Sequence, residues 1–309
     1  MSLFMAASID GAQDEQRDPM ARLRQTAAYA AERLAAKMEA DAASPAQLFL
    51  PGLEDFMRAM PNHIARSSLF APVVRGGKTL HKDAVLISRG DAVISFSGEQ
   101  LDESQADVWM QAMHEATKVP LGIPVTINRS SFLKAMGRHT GSAEYDWLNR
   151  SMKALSFAML TIEVRNGERV KLQIGTTSRS SVLHLIDGFY LDREMDEYML
   201  RIDPRWHGLY GNREWAMIDW DKRMQIAKGQ DMAKALQRLV ATSSDVTQRF
   251  ELSWLKAKLG YTSPMRKFKK SLMAAVLELE RLEILAGTRI ELSKRGKEQV
   301  AWNRLNRAG

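Results

Sequence analysis

The segment from Leu252 to Glu283 permits few folds: a short apolar-periodic run, the break Gly260-Tyr261-Thr262-Ser263-Pro264, and a longer run opening Met265-Arg266-Lys267-Phe268-Lys269-Lys270. Proline suits the first helical turn, where its missing N–H leaves no bond unmade, and Ser263 offers a hydroxyl to cap the exposed amides. Met265, Phe268, Leu272, Val276, Leu279 and Leu282 recur at steps of three and four, so the second helix turns one stripe to a core. Arg266 and Lys270 then point away from that stripe, with Lys267 and Lys269 on its flanks. Two helices joined by a tight turn, the second basic near its start, form a helix-turn-helix whose second helix is placed to meet DNA. Residues 222–298 are expected to fold around it as one winged unit.

The charge distribution agrees. The formal net charge is +7, yet residues 220–309 hold 19 Lys and Arg against 9 Asp and Glu, while the remainder is slightly acidic. The positive excess therefore coincides with the helix-turn-helix, as a polyanion-binding module requires. Thr262 and Ser263 can add phosphate hydrogen bonds, and Arg289, Lys294, Arg295 and Lys297 on or after the wing can reach flanking backbone or the minor groove. If six to eight such cations neutralise phosphates, the logarithmic salt slope of binding is roughly −5 to −7.

Other classes find little support. With no cysteine, disulfides, Cys-ligated zinc and iron–sulfur clusters are excluded. The six histidines, His63, His81, His114, His139, His184 and His207, make no His-x-His or His-x-x-x-His pair, so neither a metal nor another cofactor is expected. Arg75-Gly76-Gly77-Lys78-Thr79 lacks the first glycine and the following helix of a phosphate loop, and no catalytic residues are assigned. The start Met1-Ser2-Leu3-Phe4-Met5 has no basic region, and no stretch reaches the roughly 18 apolar residues of a membrane span. A cytoplasmic chain without membrane contact is expected.

Residues 1–45 read as an Ala-rich helical extension (18–40) with the linker Asp41-Ala42-Ala43-Ser44-Pro45, and 46–70 as an arm. Residues 71–210 and 211–309 read as two α+β domains. In the first, strands at 84–87, 92–96 and 124–127 surround a helix at 107–118. A short helix at 130–136, a longer one at Ser142–Met159, and strands at 160–164 and 170–174 follow, the strands joined by the hairpin signal Asn166-Gly167. The longer helix buries Tyr145, Leu148, Met152, Leu155 and Met159 and shows Asp146, Asn149, Arg150 and Lys153. Asn149, Arg150 and Lys153 can make one or two DNA contacts, or form a solvated face. The order recurs downstream: a helix over Lys222–Ala241, a short one at 252–259, a longer one at 264–283, and a wing from 284–285 with 289–292. Tandem winged-helix domains are therefore expected, with Trp206, Tyr210, Trp215 and Trp220 packing between them.

The segment Gln47-Leu48-Phe49-Leu50-Pro51 is similar to the short peptide with which bacterial replication proteins dock on the sliding clamp, where a glutamine orients and leucines fill apolar pockets. On its residues alone it reads first as an arm packed on its own domain.

Met57-Arg58-Ala59-Met60-Pro61-Asn62 followed by Ala65-Arg66-Ser67-Ser68-Leu69-Phe70 resembles the signature of TrfA-type plasmid replication initiators. The resemblance continues through Ile94-Ser95-Phe96-Ser97-Gly98-Glu99, Val108-Trp109 and Pro120 to Thr126. It implies a non-enzymatic initiator with two winged-helix domains that binds repeated sites, iterons, in duplex origin DNA and opens an adjacent AT-rich segment, with single-stranded DNA as a further ligand. It also implies recruitment of host DnaA, DnaB helicase and the sliding clamp, and a self-dimer in equilibrium with monomer. Carried onto this chain, Gln47, Leu48, Leu50 and Pro51 become clamp-contact residues, with Pro51 standing where the family has phenylalanine. A transcriptional repressor, including one acting on its own gene, is the alternative. A nicking initiator would need a metal-binding His pair near a catalytic tyrosine, and the sequence shows none.

Overall fold

Tyr29 and residues 55–72, 77–88, 91–119, 123–175, 182–192, 194–210 and 215–305 are described by the structure, a computed structural model. Gln47, Leu48, Leu50 and Pro51 lie outside the described residues, as does the expected extension apart from Tyr29. The chain runs β1 (Met57–Pro61), α1 (Asn62–Arg66), β2 (Phe70–Ala71), β3 (Leu80–Val85), β4 (Ala92–Glu99), β5 (Leu101–Asp102) and α2 (Glu103–Ala116). It continues with β6 (Val125–Asn128), α3 (Arg129–Ala135), α4 (Ser142–Phe157), β7 (Met159–Asn166), β8 (Arg169–Ile174), β9 (Leu183–His184), β10 (Gly188–Asp192), β11 (Glu197–Arg201), α5 (His207–Tyr210) and β12 (Trp215–Asp219). The last part is α6 (Trp220–Met224), α7 (Asp231–Val240), β13 (Thr247–Glu251), α8 (Leu252–Lys258), α9 (Met265–Arg281), β14 (Leu285–Leu292) and β15 (Glu298–Arg304).

Alternation builds the main antiparallel sheet, β3-β4-β7-β8 with β9 on β7: Ala92, Ile94 and Phe96 of β4 face inward, as do Leu160, Ile162 and Val164 of β7. The β7–β8 hairpin turns where expected, with Gly167 at φ +61, a conformation that costs a residue without Cβ little. Asp102 and Gln105 form a reciprocal capping box that starts α2 four residues before the apolar period alone indicated. β6 leaves this sheet and pairs with β11, β10 completing three strands, while β1 pairs with β12.

Two expected elements differ. The helix expected to reach Met159 ends at Phe157, and Met159 is a half-exposed first residue of β7, paired with Ser97 and His184. The helix expected over Lys222–Ala241 divides into α6 and α7, because Gly229 sits at φ +86 and the Glu278 carboxylate takes the Ala227 amide at 2.7 Å.

Gln47–Gly309 is one compact unit with two hydrophobic cores, one ending at Trp220 and the other beginning at Ile226. The aromatics expected between domains serve the first core instead: Trp206 lies 5.0 Å from Trp109 and donates to His184 O, and Trp220 donates to Ala135 O. Arg58, in the signature segment, lies over Trp220 at 4.8 Å, and burial pulls it down to about 10.

The cores meet through α7. Leu236, Leu239 and Val240 fill the second core, while Lys234 and Arg238, one turn apart, face α2 of the first. Fully buried Glu103 takes ion pairs from Arg223 and Arg238; Asp107 takes Arg223 at 2.5 Å and Lys234 at 2.6 Å. Arg238 also donates to Phe70 O at 3.1 Å. Burial pulls the Arg223 guanidinium down, but Asp107 and Glu103 outweigh it and hold its pKa above the ordinary arginine value. Lys258, the last residue of α8, is buried against this cluster, and its Nζ has no hydrogen-bond partner among the described residues. Desolvation first, then Arg238, lower it to about 7, against a smaller opposing pull from Glu103.

Candidate nucleic-acid interface

The helix-turn-helix is α8, the turn 259–264 and α9. Gly260 takes φ +62, and Tyr261 donates its amide to Lys256 O at 3.0 Å, so the chain reverses within five residues. The Tyr261 ring packs 5.3 Å from Phe268, and its hydroxyl meets Ser271 Oγ at 3.0 Å, fixing the turn to α9. Pro264 occupies the cap position itself, its carbonyl taking the amides of Lys267 and Phe268. Ser263 therefore makes no side-chain cap, contrary to the expectation, and its hydroxyl is left to the surface.

Phe268, Leu272, Val276 and Leu279 are buried, and Met265 is half-buried at the core edge. Arg266, Lys267 and Lys270 are exposed on the remaining face and make no ion pair among the described residues. Lys269 is tied to Glu298 of β15 at 2.6 Å, which links α9 to the hairpin. That hairpin is longer than expected: β14 runs unbroken through the expected gap, with an irregularity between Ala286 and Arg289, and β15 pairs with it and with β13. Arg289 pairs with Glu291 at 2.8 Å and Lys297 with Glu251 at 2.9 Å, whereas Lys294 and Arg295 at the tip are exposed and unpaired among the described residues. Of the eight cations read from sequence in this unit, five face solvent free and three are already matched by carboxylates. A cation count could not see Glu251, Glu291 and Glu298, which approach through strand pairing and hairpin closure.

On α4, Arg150 and Lys153 are exposed and Asn149 is half-buried, beside exposed Asp146. Nearby Arg138 is engaged by Glu144 at 2.7 Å and stacked 3.6 Å over Trp147. α4 packs on α2, β4, β9 and β10, while α9 packs on α7, α8 and β14, so the two helices display their polar faces from different cores. Among the described residues no cluster of His, Asp or Glu is placed to hold a metal ion, and no helix is long and apolar enough to cross a membrane.

No family model matches the sequence. Among curated proteins, the plasmid replication initiator protein TrfA of Escherichia coli is 24% identical over 178 residues, covering 56% of this chain and 44% of TrfA. The chain thus matches less than half of that relative's length. Among solved structures, crystal structures of domains 2 and 3 of RctB align with TM-scores of 0.49 and 0.42, at 12% and 11% identity. Each alignment covers 79% of this chain, and 98% and 96% of the respective RctB chains. This match agrees with the resemblance read from Met57 to Phe70 and the residues after it, and the chain is similar to a TrfA-type plasmid replication initiator.

Proposed function

We propose that this chain is a plasmid replication initiator that binds repeated sites in duplex origin DNA, with α9 as its main reader. The observation that carries the reading is the free cationic face Arg266, Lys267 and Lys270 at the start of α9. That face lies on the side opposite a fully apolar stripe and directly after a tight turn. A helix about 10–12 Å across matches a major groove about 12 Å wide, and N-terminal side chains of the second helix are those that reach base edges. Lys294 and Arg295 at the hairpin tip are spaced to meet flanking phosphates. The repeated order strand, helix, helix, hairpin (β6-α3-α4-β7-β8 and β13-α8-α9-β14-β15) supports a tandem winged-helix reading. α4 is then the second, weaker reader, through Asn149, Arg150 and Lys153. The similarity to TrfA supports origin opening and recruitment of host replication proteins as the purpose of binding.

The test is recovery of bound DNA from the chain's own replicon, followed by affinity measurement with Arg266→Ala/Lys270→Ala. Loss of roughly tenfold or more, with thermal stability within a few degrees, is expected. Unchanged affinity removes α9 from the interface. Recovery of one palindrome over a promoter, instead of repeats beside an AT-rich region, replaces initiation with the repressor reading.

A further inference from the structure

A groove of about 870 Å³ runs alongside α9, between the two cores. Its first-core wall is Thr79, just before β3, His81 of β3 and Gln100; its second-core wall is Gln230, Asp231 and the turn residues Thr262 and Ser263. Ser271 and Ala274 of α9 form its border. Positions 267, 270, 271 and 274 are spaced three, four and seven apart, so Lys267 and Lys270 stand on the same helical stripe as that border. Lys267 and Lys270 thus stand beside this groove, without lining it.

The lining suits a sugar–phosphate chain. The side-chain donors of Thr79, Gln230, Thr262 and Ser263 are unengaged among the described residues, and hydroxyl and amide side chains are common phosphate contacts. The walls are held rigidly: Gln100 donates to Leu69 O at 2.8 Å, His81 Nε2 meets Gln100 Oε1 at 2.9 Å, and Ala71 backs the turn where a Cβ on Gly260 would lie 3.6 Å away. A helix in the major groove has a phosphate strand along each flank, and on the Lys267 and Lys270 flank the neighbouring surface is this groove.

We propose that the groove seats the DNA strand bordering the major groove read by α9, so that the first core contacts DNA directly through Thr79, just before β3. This rests on the reading of α9 given above. Among the described residues of the lining, Asp231 is the single carboxylate. Its pKa is raised, by burial first and Glu103 next. When ionised it opposes the strand, so removing its charge tightens binding, a direction that a merely structural role does not produce.

The experiment measures anisotropy of a labelled random-sequence duplex of about 40 base pairs at about 100 mM salt, with the full chain. Thr79→Glu and Ser271→Glu each weaken binding about tenfold, since like charges are brought together, and Asp231→Asn tightens it about threefold. Thr79 is exposed just before an edge strand, so its variant folds even if the Ser271 variant does not. Wild-type affinity in Thr79→Glu together with no gain in Asp231→Asn overturns the groove assignment. If the wild type does not bind, or Arg266→Ala/Lys270→Ala binds equally well, the reading of α9 fails instead.

Discussion

Replacing Lys258 with methionine should make this protein more stable. The cluster around Lys258 has Glu103 and Asp107 facing Arg223, Arg238 and Lys234, already one cation in excess, so a charged Lys258 finds no carboxylate of its own. Its folded pKa of about 7 lies below the ordinary lysine value of 10.5. The unfolded chain therefore holds a proton that the folded chain lacks between those values, and the contribution to stability rises with pH from 7 toward 10.5 and is flat below 7. The penalty amounts to roughly 4 kcal/mol at pH 7 and about 2 kcal/mol at pH 9, at about 1.4 kcal/mol per pH unit. Methionine has nearly the same length and no charge, so Lys258→Met should gain about 2–4 kcal/mol at pH 7, or roughly 5–10 °C in Tm. Urea denaturation of both proteins at pH 7 and pH 9 gives the comparison, and titrations common to both cancel in the difference. A variant no more stable than wild type at pH 7, or an advantage that stays the same at pH 9, would show that the amine is charged and compensated in the fold.

Two further outcomes follow from the same geometry, and a third from the similarity of Gln47 to Pro51 to clamp-docking peptides. With five unpaired cations on α9 and the hairpin tip, and Arg150 and Lys153 exposed on α4, the logarithmic salt slope of duplex binding should be about −5 to −6 in a titration by anisotropy, and a slope beyond −7 would mean that Lys269, Arg289 and Lys297 leave their carboxylates on binding. Glu103→Gln leaves Arg223 and Arg238 short of a buried counter-charge and should cost about 3–5 kcal/mol in urea denaturation, so a loss under 1 kcal/mol would deny the cluster its role in joining the cores. Gln47→Ala with Leu48→Ala should abolish pull-down of host sliding clamp while duplex affinity is kept, and equal clamp retention would assign the segment elsewhere.

The helix-turn-helix was legible because each of its signals is local. The stripe from Met265 to Leu282 is a spacing, and the turn is set by Gly260 and Pro264. Elements whose core positions are polar were missed. β13 places Gln248 inward, where it accepts from Trp302 Nε1 at 3.0 Å and donates to Val240 O at 2.9 Å, so its strand has no apolar alternation to read. β15 buries Val300, Ala301 and Trp302 in succession, which a period of two does not describe. The ion cluster was invisible for a different reason: Glu103 and Arg238 are separated by 135 residues, and each alone looks like a solvated surface charge. The same blindness overstated the β14–β15 hairpin, where Arg289 and Lys297 are matched by carboxylates brought close only by folding.

The position of Lys258 links the two features that sequence reading separated. It ends α8, two residues before Gly260, and it abuts the side chains that join α7 to α2. The turn that aims α9 is thus backed by Ala71 and by a lysine with no partner of its own, while Arg238, beside that lysine, holds Phe70 O. Any movement of the turn away from the first core would hydrate Lys258 and recover part of its penalty, whereas keeping the turn in place requires Glu103 and Asp107 to hold α6 and α7 against α2. In the proposed reading, the angle at which α9 would meet DNA is set by the balance between those two carboxylates and the buried lysine. Lys258→Met shifts that balance toward the closed joint without touching a DNA-facing residue. If the groove beside α9 must keep its width to seat a strand, the variant should bind duplex at least as tightly as wild type while melting higher, and weaker binding by a more stable protein would show that the joint has to open for DNA to enter.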